Sequence, residues 1–574
     1  MQIAVLFGYT AWLFGILMGF GVGPATALLA RCALPRILWV PVTLLWTAGV
    51  AYGIWWVYFA NPTLGRPVTL ACWLGSAALF GWLVTAARDA RANRTALLDV
   101  KSWLPAAIML VLTLAYLCVL SAREVWINDR FTWPLPPDNA MPSMLAERLE
   151  VPPLSRPRSF LRADWLTSDR PPLQAGVVLA ARPFDISWID STYQIVGTLC
   201  QMGWAPVLIA LTSFMGLSRR QMTFALVGSA CSGFFLLHSL YAWPKLLAAW
   251  LFLLGVALMY WAPSDARRIV ATKRLLIGAA LGLSLLAHGG TAFSLIALPL
   301  LAVSLRVWRG RRLVAATLGV MLTMFLPLAP WVLYQKLIDP PGNRLVKIHL
   351  AGDWSIDDRS VMASIVDAYA ELSPREYWSG RAKNLVAQFV GTHAPSQSIA
   401  DRLRVQQFYH HAAALDLLGL GLGALWLWPL GQSGSRGAGC PGRALELTAL
   451  SRARQLAGYA VVTVIVWAAL TFTPGSAVIH HGSYAATALL FLCGSVGLTR
   501  WSSTMALAAL GGHCVIFTWL WLATRDLAGP PAPWRPEYVI ALAGLIVLLT
   551  VLIRLIPDTA ILRQHDAGRH LNSA

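Results

Sequence analysis

The segment Ser168–Gln174 reads Ser-Asp-Arg-Pro-Pro-Leu-Gln and lies in a long polar stretch, Arg123–Tyr193, that separates two groups of apolar runs. The stretch is rich in Pro and Trp and concentrates carboxylates, among them Asp129, Asp138 and Asp169. Only 12% of the whole chain is charged. Because an unpaired carboxylate is costly to bury, this concentration predicts a segment that meets water, a substrate or both.

The apolar runs on either side indicate the class of protein. Of the 574 residues 57% are hydrophobic, and the mean hydropathy of +0.60 excludes an ordinary soluble protein. Runs of about 18–25 apolar residues can cross a hydrocarbon core of about 30 Å as helices. We predict an all-α polytopic membrane protein with about 15 transmembrane helices and two extracytoplasmic loops that carry short amphipathic helices. The predicted spans are 3–30, 37–60, 67–87, 104–121, 193–216, 221–241, 244–262, 274–288, 290–306, 313–335, 412–430, 456–473, 484–499, 503–523 and 537–556.

The basic residues indicate how these helices are oriented. The net charge of +19 would suit a nucleic-acid partner, but the basic residues lie in alternate connectors, as on the cytoplasmic side of a membrane protein. We therefore expect no nucleic acid, an extracytoplasmic N-terminus and a cytoplasmic C-terminus. Both long polar segments then lie on the extracytoplasmic face. None of the eight cysteines lies in them, so neither a disulfide framework nor a zinc cluster is predicted.

The same features divide the chain into five regions. The predicted regions are N-terminal transmembrane helices 1–121, a first loop 122–192, central helices 193–337, a second loop 338–411, and C-terminal helices with a cytoplasmic tail 412–574. The first loop is predicted to supply the chemistry. The second loop has mixed charge and a helical pattern over Arg359–Leu372, and it is either a lid or acceptor-facing element or a solvated connection.

The first loop has recognisable local features. Asp138–Leu149 is predicted to form a short amphipathic helix at the membrane interface, with Asp138 as its N-cap. The tryptophans of the loop suit a belt at the level of the lipid headgroups, which is favoured over a role in stacking on a sugar. They are Trp126, Trp133, Trp165 and Trp188.

Two consecutive prolines predict a stiff corner in the same loop. Each proline fixes its own φ angle, and Pro171 keeps Arg170 out of the helical region. Asp169 and Arg170 are therefore expected on an extended corner that aims their side chains.

Further basic residues lie at the predicted extracytoplasmic ends of spans. They are Lys245, His288, His480 and His481. Any one of them alone is typical of a snorkelling or turn residue at the membrane edge. Together with Arg170 they would lie beneath an acidic loop, as a pocket for a phosphate or pyrophosphate requires. We predict that these five residues and Asp169 bind substrate.

On these residues the chain resembles the GT-C glycosyltransferases, which include the bacterial aminoarabinose transferase and the protein O-mannosyltransferases. The segment Asp169–Leu173 is similar to their Lys-Pro-Pro-Leu element, with Arg170 in place of Lys. In the familiar members the catalytic loop follows the first span, whereas here it follows the fourth predicted span.

The resemblance implies an activity and a catalytic base. The activity is inverting transfer of a sugar from a polyprenyl-phosphate carrier to an extracytoplasmic glycan, lipid or protein acceptor, at a cell membrane that is expected to be a bacterial inner membrane. The base is an acid near the start of the first loop, which maps to Asp129 or, second, to Asp138.

The residue types suit this chemistry. A carboxylate can accept the proton of an attacking hydroxyl, and Arg170 and Lys245 are the best candidates to stabilise the leaving lipid phosphate. No cofactor is required; a divalent metal is an alternative for part of this role, although no acid or His spacing demands one.

The main alternative is a transporter or flippase of lipid-linked sugars, and a ligase of lipid-linked saccharides is a third. A transporter predicts charged residues inside the spans, along a path through the bilayer. Most carboxylates of this chain instead lie in the polar loops or the basic connectors, which favours the transferase.

Overall fold

The structure is a computed structural model that describes residues 3–32, 34–86, 100–120, 127, 135–152, 164–186, 192–261, 267–305, 311–390, 399–427, 441–472, 482–523 and 536–556. These residues form helices joined by turns and short connections, with no strand among them, so the predicted all-helical class is confirmed for them. The α-helices are α1 (Ile3–Cys32), α2 (Trp39–Ala60), α3 (Pro62–Ala86), α4 (Leu104–Leu117), α5 (Met141–Glu150), α6 (Leu173–Ala181), α7 (Thr192–Gln201), α8 (Trp204–Met215), α9 (Arg219–Ala230), α10 (Gly233–Leu240), α11 (Lys245–Tyr260), α12 (Arg267–Ala287), α13 (Thr291–Ser304), α14 (Arg311–Leu333), α15 (Arg344–Ala351), α16 (Val361–Ala370), α17 (Pro374–Phe389), α18 (Ile399–Tyr409), α19 (His411–Leu415), α20 (Gly419–Leu427), α21 (Pro441–Leu470), α22 (Tyr484–Leu498), α23 (Ser503–Phe517) and α24 (Pro536–Leu555).

The long apolar helices are those of a protein that crosses a membrane several times, but the predicted number of about 15 spans is not confirmed. Within the described residues, eight helices are long and apolar enough to cross a bilayer, and two bent pairs raise the number to 10 if each pair is one span. The other apolar helices have only 10–17 residues.

Two of the apolar runs are broken. The predicted span 221–241 consists of α9 and α10, which are bent by 56° relative to each other. The hydroxyl of Ser232 accepts hydrogen bonds from the backbone N–H groups of Phe234 and Phe235 at 3.1 and 3.4 Å, so Ser232 caps α10 and starts a new helix there. A second bend, of 102°, separates α18 from His411–Leu427.

The apolar helices differ in how far they are buried in the bundle. The apolar stretch of α7 and α8 is wholly buried, and nearly all residues of α11 and α22 are buried. In α3 only 11% of the apolar stretch is buried, and the same holds for α14 together with the π-helix Tyr334–Ile338 that follows it. These helices therefore present apolar side chains to lipid. Helix α11 packs against α8, α12 and α22, and the candidate site lies at its first turn.

The short helix of the first loop differs from its prediction. The α-helix begins at Met141 with Ala140 as its N-cap, and Asp138 lies in a preceding 3-10 turn, Pro137–Ala140, without capping it. The helix starts late because Pro142 is favoured in the first turn of a helix. Its apolar face is buried in the protein, where α5 packs against α6, so that face does not meet lipid.

The second polar segment contains α15, α16 and α17. The predicted helical pattern over Arg359–Leu372 is confirmed as α16, whose N-cap Ser360 accepts a hydrogen bond from the backbone N–H of Ala363 at 3.1 Å. Helix α17 packs against α21, and α15 packs against α16.

Helices α20 and α22 cross at glycines. A Cβ atom on Gly421 would overlap the carbonyl oxygen of Gly494, and one on Gly497 would overlap the carbonyl oxygen of Gly421. Small residues at such crossings let two helix backbones approach closely within a membrane.

We predict that Gly421→Val destabilises the protein by about 1–3 kcal/mol, because the added side chain has no space at the crossing. Gly423→Val on the same helix is the matched control, since a Cβ there meets nothing within 4 Å. Thermal unfolding of the purified proteins in detergent measures the difference. Equal melting temperatures for the two variants would contradict the close crossing.

Candidate functional site

The predicted corner beside the two prolines is confirmed. Arg170 is extended, with φ −123° and ψ 116°, and α6 begins at Leu173. The preceding residues form a 3-10 turn, Thr167–Asp169, in which the Asp169 carboxylate accepts a hydrogen bond from the backbone N–H of Leu166 at 2.9 Å. The corner therefore fixes the backbone from which the Arg170 side chain leaves.

The guanidinium group of Arg170 lies between two indole rings. It is 3.9 Å from the centre of the Trp165 ring and 5.0 Å from that of Trp243, both cation–π distances. Its Nε has no hydrogen-bond partner, and none of the ion pairs among the described residues includes Arg170. Arg170 is thus a half-buried cation that is stacked but not neutralised by a neighbouring carboxylate.

Lys245 is a second cation of the same kind. It is the first residue of α11, it is only 8% exposed, and its Nζ lies 5.2 Å from the centre of the Tyr484 ring. None of the ion pairs within the described ranges includes it. The N-terminus of a helix carries a partial positive charge, which adds to that of the ammonium group.

A chain of buried amides links the two cations. Gln174, in the first turn of α6, donates from Nε2 to the carbonyl of Ala242 and accepts from Nε2 of Gln201 at 3.0 Å. Oε1 of Gln201 accepts from the backbone N–H of Leu247, in the first turn of α11, at 2.7 Å. These hydrogen bonds therefore fix the first turn of α6, which follows Arg170, relative to the first turn of α11, which begins at Lys245.

Asp138 is an acid whose charge acts on both cations. Burial lowers the pKa of Arg170, whereas the charges of Asp138 and Asp169 raise it. The Asp138 charge also acts on Lys245. The hydroxyl of Tyr241 donates to the carbonyl of Pro136 at 2.7 Å, which fastens the turn that carries Asp138 to the end of α10.

The second polar segment contributes a histidine on which the charges of the two cations act. Burial lowers the pKa of His349, and the positive charges of Lys245 and Arg170 lower it further, against a hydrogen bond to the Leu345 carbonyl that raises it. Two cations without an ion pair among the described residues make the site electropositive.

Arg344 joins the second polar segment to the corner. Its buried guanidinium group pairs with the Asp164 carboxylate and lies 3.5 Å from the Asp169 carboxylate. Its Nε donates to the carbonyl of Trp354 at 3.1 Å, and its charge lies 5.1 Å from the centre of the Trp165 ring. Trp165 therefore lies close to two arginines, of which Arg344 is paired with acids and Arg170 is not.

Backbone hydrogen bonds strengthen this junction. The backbone N–H of Ser168 donates to the Asp339 carboxylate at 2.7 Å, and Nε2 of Gln335 donates to the Ser168 carbonyl at 2.9 Å. The two polar segments that the sequence assigns to one face are thus in direct contact at the corner.

The remaining predicted site residues differ in position. The imidazole of His288 lies edge-on to Trp243 at 5.9 Å, and its Nδ1 accepts from the Gly290 backbone N–H at 3.0 Å, as a turn residue does. Asp129, His480 and His481 lie outside the described residues. The structure thus brings together Asp138, Asp169, Arg170 and Lys245, with His288 at the edge of the group.

Sequence reasoning missed several residues of the site. Trp165 was interpreted as part of a headgroup belt, and its ring lies at cation–π distance from two guanidinium groups, 3.9 Å from that of Arg170 and 5.1 Å from that of Arg344. Trp243 precedes Pro244 and Lys245, and this Trp-Pro-Lys turn was the available signal. Arg344 has no local signal, because its partners lie about 175 residues away in the chain.

The chain matches no protein-family model, and no characterised protein or solved structure matches it. Within the described ranges, no three His, Cys, Asp or Glu side chains are grouped in a way that could hold a metal ion.

We predict that Arg344→Met destabilises the protein by about 3–5 kcal/mol, because removing one partner of a buried ion pair leaves the other charge uncompensated. Burial raises the pKa of Asp169, and the Leu166 N–H and Arg344 oppose that shift, so without Arg344 the buried carboxylate is costly to ionise. Unfolding of the purified protein by heat or denaturant measures the loss.

Arg359→Met is the matched control. Arg359 also pairs with acids, three in its case, but its side chain is 48% exposed, and such pairs contribute about 0–1 kcal/mol. Equal losses for the two variants would contradict a special role of Arg344 in joining the two segments.

Proposed function

We propose that this chain is an integral-membrane glycosyltransferase that moves a sugar from a polyprenyl phosphate to an extracytoplasmic acceptor with inversion. The observation that carries the proposal is the pair of cations, Arg170 and Lys245, which lie over aromatic rings and have no ion-pair partner among the described residues. The charge of Asp138 acts on both of them. A lipid phosphate supplies the negative charge that such a pair lacks.

The two cations suit the leaving group of this reaction. As the bond between the anomeric carbon and the phosphate breaks, negative charge develops on the phosphate oxygens. Arg170 offers a planar fork of N–H donors that stacking holds in one orientation, and Lys245 offers a point charge at a helix N-terminus. Both groups can stabilise the departing lipid phosphate without first breaking an ion pair.

A carboxylate of the first loop is proposed as the general base. It accepts the proton of the acceptor hydroxyl as that oxygen attacks the anomeric carbon from the side opposite the phosphate. Asp138 is supported by its electrostatic coupling to Arg170 and Lys245. Asp129 is the base that the family resemblance favours, and activity assays of the two variants distinguish between Asp129 and Asp138.

For the cations, we predict that Arg170→Ala and Lys245→Ala each weaken binding of a polyprenyl phosphate at least about tenfold, because a hydrogen bond to a charged group contributes about 1.5–3 kcal/mol. Arg170→Lys should lose less, since it retains the charge and loses only the fork. Binding of undecaprenyl phosphate to the purified protein measures the effect.

The exposed residues Arg375 and Lys383 provide matched controls as Arg375→Ala and Lys383→Ala. Affinity equal to that of the unmodified protein in both site variants would remove the phosphate-binding role.

For the base, we predict that Asp138→Asn lowers sugar transfer about 10²–10⁴-fold while binding of undecaprenyl phosphate is retained. Release of labelled sugar from its polyprenyl-phosphate donor in reconstituted vesicles measures transfer, with Asp129→Asn assayed in parallel. If Asp129→Asn is inactive and Asp138→Asn is active, the base is Asp129. Full activity of both variants would contradict a base on the first loop.

A transporter of lipid-linked sugars is the second candidate, and one observation favours it. His513 lies within the apolar stretch Ser503–Leu522, is 2% exposed, and has its Nδ1 3.5 Å from the Asp416 carboxylate. Arg404 is fully buried and donates to the carbonyl of Leu520 at 2.9 Å. Ionisable groups inside spans are what a transporter requires. Movement of a lipid-linked sugar across vesicles without transfer, lost in Asp416→Asn, would favour this candidate.

A further inference from the structure

We propose that α17 docks on the lipid surface and anchors the second polar segment at the membrane boundary. The proposal depends on the crossing of the bilayer by α21 and not on the transferase function. It commits to phospholipid, and not to a second copy of this chain, as the occupant of the exposed face of α17.

The inward face of α17 is polar. Arg381, Asn384 and Gln388 are at most 9% exposed and recur every three to four residues, so they form one face of the helix. Nδ2 of Asn384 donates to the carbonyl of Thr471 at 2.6 Å and to that of Ala468 at 3.2 Å. These residues turn toward the protein because they make specific hydrogen bonds there.

The hydrogen bonds of Asn384 and Arg381 indicate where α17 lies relative to the bilayer. Helix α21 is a candidate span whose apolar stretch ends at Leu470, and the last carbonyls of a helix have no partner within it. Asn384 and Arg381 both donate to the Thr471 carbonyl, and the positive charge of Arg381 suits a helix C-terminus. Helix α17 therefore lies where a membrane-spanning helix ends.

The outward face of α17 carries large exposed apolar side chains, together with the exposed Arg375 and Lys383. Trp378 is 69% exposed, Val386 61% and Phe389 38%. A helix that turns polar residues inward and large apolar residues outward is the reverse of a helix on a water-soluble protein. In water this face would be unfavourable, whereas at the lipid boundary it is stabilised by burial among acyl chains.

The lipid-facing surface of α21 continues toward this face. Val461, Ile465 and Leu470 are 45%, 49% and 39% exposed on the last turns of a helix that crosses the bilayer. Because α17 packs against α21 and bonds to carbonyls at its end, we infer that the exposed apolar side chains of α17 extend that surface. This continuity favours lipid over a second protein copy, since the neighbouring surface already requires lipid.

Anchoring of α17 also constrains the candidate site. The backbone N–H of Phe472, just beyond α21, donates to the carbonyl of His349 at 2.8 Å. His349 is the imidazole that responds to Lys245 and Arg170. Hydrogen bonds thus connect the lipid-docked helix and the end of α21 to His349, on which the charges of the site act.

Photo-crosslinking in vesicles of phosphatidylethanolamine and phosphatidylglycerol tests the proposal. The photoreactive residue p-benzoylphenylalanine is placed at Val386 or Trp378 of the full chain. It is placed at Leu322, which is 72% exposed on α14, as the lipid-facing control, and at the exposed Asp358 as the water-facing control. Mass spectrometry after irradiation identifies what each position has captured.

The expected result is a phospholipid adduct at Val386 and Trp378, comparable in yield with that at Leu322, and no lipid adduct at Asp358. Lipid capture at Leu322 without capture at either α17 position would overturn the proposal. A crosslinked dimer at Val386 in place of a lipid adduct would also overturn it and would assign this face to a second copy. Since all four positions are exposed, the substitutions leave the packed interior unchanged.

Discussion

The buried guanidinium group of Arg344 is the interaction on which the candidate site depends. It pairs with Asp164 and Asp169, so the two acids nearest the corner are already engaged. Arg170, which also lies over the Trp165 ring, is left without an ion pair among the described residues. Partial burial of a charge without a partner is costly, and such a charge persists where a ligand can supply the opposite charge. The positive character of the site is therefore a consequence of how the acids are distributed between two arginines.

Sequence patterns predicted the features that depend on residues close to one another in the chain. Apolar runs became helices because hydrocarbon leaves no other way to satisfy the backbone, and the Pro171–Pro172 pair extended Arg170 because proline restricts the residue before it. The number of spans could not be predicted in the same way. A broken pair such as α9 and α10 has the composition of one straight helix, and its break depends on the capping of α10 by Ser232.

The residues that complete the site could not be predicted because their partners are distant in the chain. Arg344 meets Asp169, and Ser168 meets Asp339, only after the helices between them have packed. Asp138 illustrates a different limit. An Asp before a helical pattern favours an N-cap, but Pro142 favours a helix start at Met141, so the Asp138 carboxylate does not cap the helix. Because Asp138 does not cap the helix, its carboxylate can act on the two cations.

The two cations also differ in how they are held, and this difference bears on function. Stacking on Trp165 and Trp243 restricts the plane of the Arg170 guanidinium group, whereas Lys245 is placed by the first turn of α11. Gln174 and Gln201 couple these supports, so the distance between the cations is set by a buried hydrogen-bonded chain and not by a flexible loop. Such preorganisation lowers the cost of arranging charge when a phosphate departs. The proposed sugar transfer would use this rigidity, because the two cations would not have to move as the phosphate leaves.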